Sequence, residues 1–314
     1  MGTQPLPVDR IGQRFSIRLH DPAGGYRDVV GHLKSANTVV NRHGAEISFD
    51  PSQIFTWREI IDRPKAAGTG APLTIRIMEL DQICNATWPA IESIEVDGWL
   101  FRAANGVTNR ANSVLPLLSA LESGSNTNFT NKLANAREFY AVRNLPTIFQ
   151  IALPIWRELA DQLISAGAVE ILRGNTMVAD LNNLSLALPT GFEILSSDHA
   201  TQEWLAVNPA VGIEKIFAGC QAKYLGISQN GKIVATARIA VSADWSSVTR
   251  VYVDNKYRGL GLGRAIVSAA ITESQKAGAT KAVLQVESNN SIAIGIYETW
   301  GFKFHHEYIF LELN

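Results

Sequence analysis

The chain has 314 residues, 46% of them hydrophobic and 18% charged, enough apolar material for two or three domains with a core in each. Its formal charge of −1 at pH 7 excludes an overall positive field of the kind that holds nucleic acid or an anionic membrane, so such a function would need a local basic patch. Two cysteines, Cys84 and Cys220, are too few for a disulfide framework or a tetrahedral zinc site, and six histidines without H-x-H or H-x-x-x-H spacing add no ligand set. With no basic-then-apolar leader and no run of eighteen apolar residues, a cytoplasmic protein with two free thiols is expected.

Over residues 12–60 the pattern is short β: RFSIRL alternates, HDPAGGYRD is rich in turn residues, and DVVGHL, TVVNRHGAEISF and QIFTWREI follow closely, with His43-Gly44 reading as a tight hairpin. Five short strands and no helical stretch predict a small SH3- or Tudor-like β-barrel over 1–62. Seven Lys/Arg balance seven Asp/Glu there, so a structural or docking role is expected and nucleic-acid binding is not. RPKAAGTGAP, 63–72, has the composition of a linker.

Beyond it, TIRIMELDQICNATWPAI reads as a strand and then a helix, and EVDGWLFRAANGVTNRANSVLPL as two antiparallel strands around Asn105-Gly106. A polar loop, SGSNTNFTN, leads to a helix in NKLANAREFYAVRNLP closed by Pro146. FQIALP, a helix in IWRELADQLISAGA ended by Gly167, and the strand EILRGNTMVADL complete an α+β unit, 73–188, with its last strand ending near Leu184. A second α+β unit, 189–314, opens with the strand FEILSS. Asn230-Gly231 joins two strands, a third runs over 248–253, and a glycine loop opens a helix over 263–276. The strand KAVLQVE, a helix in NSIAIGIYETW capped by Asn290 or Ser291 and ended by Gly301, and the strand FKFHHEYIFLEL follow.

The loop RGLGLGR, 258–264, is the motif richest in chemistry. A P-loop would end in Lys-Ser/Thr where Arg264-Ala265 stand, and a dinucleotide fingerprint would need a third glycine at Arg264. R-x-x-G-x-G fits at Arg258, Gly261 and Gly263: small residues let backbone N–H groups at a helix N-terminus approach a pyrophosphate, and Arg258 and Arg264 add charge.

VYVDNKYRGLGLGRAI followed by LQVESNNSIAIGIYETWGF resembles the acetyl-CoA-binding core of the GNAT N-acetyltransferases, with Asn290, Ala293, Tyr297, Gly301 and Phe302 in the spacing N-x-x-A-x-x-x-Y-x-x-x-G-F. The whole layout resembles an actinobacterial subgroup that joins a small SH3-like barrel to two GNAT-like halves. The resemblance implies an α+β chain with a catalytic GNAT fold over 189–314 and a degenerate GNAT-like half over 73–188. NAREFYAVRNLPTIFQI faintly echoes NSIAIGIYETWGFKFHH, pairing Asn135 with Asn290, and the first half lacks a glycine loop.

It further implies that acetyl-CoA lies between the strands 248–253 and 282–287. Arg258, Gly259, Gly261, Gly263 and Arg264 would hold the pyrophosphate, Val253 the pantetheine amides and Asn290 the pantetheine arm. The Val251 N–H would face the thioester oxygen, and Tyr297 would protonate the leaving thiolate, unless it is simply a core aromatic. Where some GNAT enzymes carry a glutamate base this chain has Ser247, which leaves Asp244 and Glu287 as candidate bases. Of His305 and His306, strand alternation turns one inward, as a structural histidine. The expected function is acetyl transfer to an amine of unknown identity, on a small molecule or a protein. The alternative is a non-catalytic acyl-CoA sensor that recruits a partner through the barrel.

Overall fold

The computed structural model describes residues 6–22, 24–41, 44–60, 71–122, 129–181 and 188–313, divided between two compact units, 1–71 and 72–314. His43 of the expected hairpin, residues 61–70, which include 63–70 of the expected linker, loop residues 123–128 and Leu184 lie outside the described residues.

In the first unit β1 (Arg14–His20), β2 (Tyr26–Ser35), β3 (Thr38–Val40), β4 (Glu46–Ser48) and β5 (Ile54–Ile60) form an antiparallel sheet in the order β4-β3-β2-β1-β5. Period-two alternation turns Phe15, Ile17 and Leu19 of β1 inward, onto Val29, Leu33, Val39, Phe49 and Ile54. The five expected strands are present. Among the described residues no pairing joins β4 to β5, so the unit is a five-stranded sheet around a core and a closed barrel is not shown.

The second unit opens with α1 (Leu73–Thr87), a single helix where a strand and a helix were expected. The alternation in TIRIM suggests β, but Ile77, Asp81 and Cys84, spaced by four and three residues, are all buried, which is the period of a helix face. The hairpin of β6 (Glu92–Val96) and β7 (Trp99–Ala103) turns at Asp97-Gly98, both at positive φ, not at Asn105-Gly106. Asn105 and Gly106 also take positive φ, but they lead into a loop. Asn112 pins that loop by accepting from the N–H of Ala104 and Gly106 and donating to the carbonyls of Val107 and Thr108. There follow β8 (Leu115–Pro116), α2 (Leu118–Glu122), α3 (Phe129–Ala141), β9 (Thr147–Leu153), α4 (Arg157–Ser165), β10 (Ala168–Asp180) and β11 (Glu193–Ser197). The chain continues through α5 (Gln202–Val207), α6 (Ile213–Phe217), β12 (Lys223–Gln229), β13 (Lys232–Ser242), β14 (Trp245–Val253), α7 (Leu262–Lys276), β15 (Lys281–Glu287), α8 (Ser291–Thr299) and β16 (Lys303–Leu313).

One eight-stranded sheet runs β11-β12-β13-β14-β15-β10-β16-β9, so β10 enters between β15 and β16 and the stretches on either side of residue 188 share a sheet. β14–β15 is its parallel pair; the other pairs are antiparallel. Helices α7 and α8 cover one face, where Leu225, Leu284 and Val286 meet Ile266, Ala270 and Tyr297. Alternation turns Tyr224 to the opposite face, where it packs with Trp88 at the end of α1 and with Trp204, Ile216 and Phe217 of α5 and α6.

Candidate active site

β14 and β15 pair only at Trp245–Lys281, Ser246–Ala282 and Ser247–Val283, and beyond Ser247 they separate. The cause lies on the other edge of β14. Its register with β13 shifts between Thr236 and Arg238, so Ala237 alone opposes Arg250 and Val251. Arg250 takes φ 55°, and the Thr236 hydroxyl donates to its carbonyl at 3.1 Å. Such a bulge bends its strand and raises the local twist, which turns β14 away from β15. The recorded pairs end at Ser247–Val283, and β15 runs four residues further, to Glu287, along the other side of the opening.

The glycine loop stands at the end of this opening. Gly259 and Gly261 take φ 81° and 80°, and α7 begins at Leu262, one residue before the expected start. A Cβ at Gly259 or Gly261 would meet nothing within 4 Å, so positive φ is what requires glycine there, and the space before the loop is open. The N–H groups of Arg264 and Ala265 donate to the Gly261 carbonyl at 3.1 Å. Among the described residues those of Gly259, Leu260, Gly261, Leu262 and Gly263 find no acceptor. Five consecutive free donors at the positive end of a fifteen-residue helix make an anion site. Arg258 donates through Nε to the Val253 carbonyl at 3.2 Å and lies 5.7 Å from the Tyr252 ring, and Arg264 is exposed in the first turn. The set fits a diphosphate.

Asn290, not Ser291, caps α8: its Oδ1 accepts from the Ala293 N–H at 3.1 Å, leaving Nδ2 for other contacts. The Tyr297 ring is buried in the cluster that holds Val286, with Val251 and Val253 packed against it, and lies 5.9 Å from Phe302. Burial pushes its phenol up to about 12. The core role of the ring and its place beside the opening therefore coincide.

Of the candidate bases, Asp244 sits in the turn before β14, at the end where the strands are still paired and seven residues from Val251. Burial works to raise its carboxyl, but Lys281 at 2.5 Å and Thr280 at 3.4 Å outweigh that and hold it below the usual range. Seven residues of strand span roughly 23 Å, which removes Asp244 from the candidates. Asp244→Asn is accordingly expected to leave amine-dependent thiol release within twofold and to cost under ~1 kcal/mol through the loss of a partly exposed ion pair; steady-state assay and urea unfolding measure both. Glu287 ends β15 beside the opening, and Ser247 is buried beside Val283. His306 is the inward histidine, with its Nδ1 2.8 Å from that of His305. Burial first and His305 second push His306 down to about 3, which fits a neutral core residue.

Three features escaped the sequence reading. Tyr308 lies across Gly174 so closely that a Cβ there would come within 2.3 Å of its hydroxyl, and Gly174 pairs directly with Glu287. A glycine inside a strand pattern was the available signal. Arg238 is enclosed by Trp88, Phe217 and Tyr224 at 5.2–5.8 Å and donates to the Thr87 carbonyl and Cys220 sulfur. Finally, Asp81 is buried on α1 with neither oxygen hydrogen-bonded, and desolvation raises its carboxyl to about 7 against the pull of Arg102 and Arg110. A carboxyl raised on folding favours the protonated state, so its contribution is best below the unfolded pKa, near 4, and is lost as pH rises to about 7. Asp81→Asn should remove that loss, on the order of 4 kcal/mol at ~1.4 kcal/mol per pH unit, and flatten the pH dependence of urea-unfolding midpoints between pH 4 and 8.

A profile of the family described as the C-terminal region of the probable histone acetyltransferase Rv0428c matches residues 74–311. The chain is 25% identical to the Mycobacterium tuberculosis protein of that name over 94% of its own length and 93% of that protein's. Over 93 residues it is 39% identical to the ribosomal protein bS18-alanine N-acetyltransferase of Escherichia coli K12, spanning 63% of that enzyme and 29% of this chain. A GCN5-related N-acetyltransferase from Kribbella flavida shares the fold with a TM-score of 0.58 at 16% identity, over 78% of this chain and 96% of that one. A tandem GNAT protein from the clavulanic acid biosynthesis pathway does so with a TM-score of 0.51 at 14% identity, over 64% and 75%. The profile covers about three quarters of the sequence; the chain belongs to that family and, with it, to the GNAT N-acetyltransferases.

Proposed function

We propose that residues 189–314 transfer an acetyl group from acetyl-CoA to an amine by direct attack on the thioester. The observation that carries this reading is the conjunction of a parallel strand pair that opens after Ser247 with five unpaired N–H groups, 259–263, at the end of the opening. The loop N–H groups, with Arg258 and Arg264, hold the pyrophosphate, and the backbone of Val253 and the free Nδ2 of Asn290 hold the pantetheine arm. The Val251 N–H, next to the bulge at Arg250, donates to the thioester oxygen as it gains charge in the tetrahedral intermediate. An acceptor amine is mostly protonated at neutral pH, so Glu287, at the end of β15 beside the opening, takes a proton through water before the nitrogen attacks. When the C–S bond breaks, the nitrogen of the intermediate gives up its second proton to water, and Tyr297 gives its phenolic proton to the sulfur and is reprotonated from solvent.

Residues 1–62 form an SH3-like docking module in this reading, and the protein works in the cytoplasm. Among the described residues no helix is long and apolar enough to cross a membrane. The test is a screen of amines for thiol release from acetyl-CoA by the intact chain. Amine-dependent release is expected; CoA binding without release for any amine would favour the sensor alternative.

A further inference from the structure

Two arginines on the α1, α5 and α6 side of the opening lack the carboxylate partner that a desolvated guanidinium ordinarily finds. Arg250, at the bulge, donates through Nη2 to the neutral Asn208 carbonyl at the end of α5, and its Nε is buried without a partner. Burial lowers its pKa, and no acidic group offsets the effect. Arg110 lies in the loop pinned by Asn112, its guanidinium 5.7 Å from the Trp88 ring and its Nε likewise buried without a partner. The same loop reaches the segment after α5, where Val107 packs 3.2 Å from the Cβ position of Gly212. Asp81 acts on Arg110 through space but hydrogen-bonds to nothing, and Arg102, the other nearby cation, is spent on Asn85, Ser113 and Gln150.

Glu287, an acid at the end of β15, stands beside the opening. Val286 points into the α7 and α8 core, so alternation sets Glu287 on the opposite face. There Tyr308 lies within the fields of both Arg110 and Glu287. Among the described residues the Glu287 carboxylate has no hydrogen bond or ion pair. The cations without an acidic partner thus lie by α5 and the end of α1, and the unpaired anion at the end of β15 beside the opening.

We propose that the acceptor is an amine carrying its own anionic group, a carboxylate or a phosphate, with Arg250 and Arg110 receiving the anion and Glu287 facing the ammonium. The inference rests on the acetyl-transfer reading and narrows its substrate class. An amine without an anionic group would leave both guanidiniums as they stand, whereas an anion completes them with charge-assisted bonds made only on binding.

The experiment uses the intact chain. CoA binding is measured first by calorimetry; its absence would overturn the acetyl-transfer reading and this proposal with it, a result distinct from those that follow. Thiol release is then compared within matched pairs: β-alanine against propylamine for a carboxylate, and phosphoethanolamine against ethanolamine for a phosphate. At least one anionic member is expected to exceed its neutral partner by tenfold or more in kcat/KM, and the arm that does so identifies the anion. Arg250→Gly suits the φ of 55° at that position, so it removes the side chain without backbone strain; Arg110→Gln is the second variant. Both should bring the ratio within the pair toward one. Equal or better use of the neutral amines, or a ratio unchanged in both variants, would overturn the proposal. If nothing is turned over, the same pairs are titrated into CoA-saturated protein, and failure of the anionic members to bind more tightly would overturn it equally.

Discussion

Gly261→Asp is expected to weaken CoA and acetyl-CoA binding at least a hundredfold while the protein stays folded. Gly261 is the N-cap of α7, at φ 80° with open space around its Cβ position. Asp is among the side chains that tolerate left-handed backbone and that cap helices, so its carboxylate would accept from the free N–H groups of the first turn. That is why loss of binding need not mean loss of fold: the aspartate takes the donors a pyrophosphate oxygen would use and sets a negative charge before a second anion. A hundredfold loss is about 2.7 kcal/mol, within reach of one repelled charge and two or three lost hydrogen bonds. Gly261→Ala separates the contributions, since it carries the backbone strain, roughly 1–2 kcal/mol, without charge or acceptor. Calorimetry on both variants, with thermal melts as the control for folding, measures the difference. Unchanged affinity in Gly261→Asp would refute the assignment of the loop as the pyrophosphate site.

The glycine loop was legible because its chemistry is local: positive φ at Gly259 and Gly261 and a helix starting at Leu262 are dictated within a few residues. The cap at Asn290 and the turn at Asn230-Gly231 are local in the same way. What the sequence hid depends on partners far along the chain. TIRIM alternates like a strand, and only the core beneath Ile77, Asp81 and Cys84 makes it helical. Asp97-Gly98 and Asn105-Gly106 share one turn chemistry, and pairing between β6 and β7 decides which joins strands. The bulge at Arg250 exists only relative to β13, and Tyr308 gains its place from Gly174, more than a hundred residues earlier. The same non-locality explains Asp244: proximity in sequence to the strand of Val251 made it a candidate, and the direction of β14 put it at the wrong end.

Tyr297→Phe divides enzyme from sensor. It deletes one oxygen and keeps the ring that packs on Phe302 and Val286, so the melting temperature and CoA affinity should change little. Among the described residues the phenol has no hydrogen-bond partner, so removing its oxygen breaks no bond within the fold and is close to neutral for stability. Burial raises the phenol from 10 to about 12, so it holds its proton throughout the range in which the enzyme would be assayed. The sign for folding follows: the preference for the neutral phenol is fully present below pH 10 and is lost as pH rises through about 12, so wild type and variant should differ in stability only in strong alkali. A proton donor of this kind acts as the C–S bond breaks, so its loss should fall on kcat, roughly tenfold to a thousandfold, with KM little changed. Steady-state kinetics with an acceptor found in the amine screen decide the matter. Wild-type kcat in the variant would remove Tyr297 from the proton path and leave water to protonate the thiolate. A loss of CoA binding would make the hydroxyl a ligand contact instead of an acid.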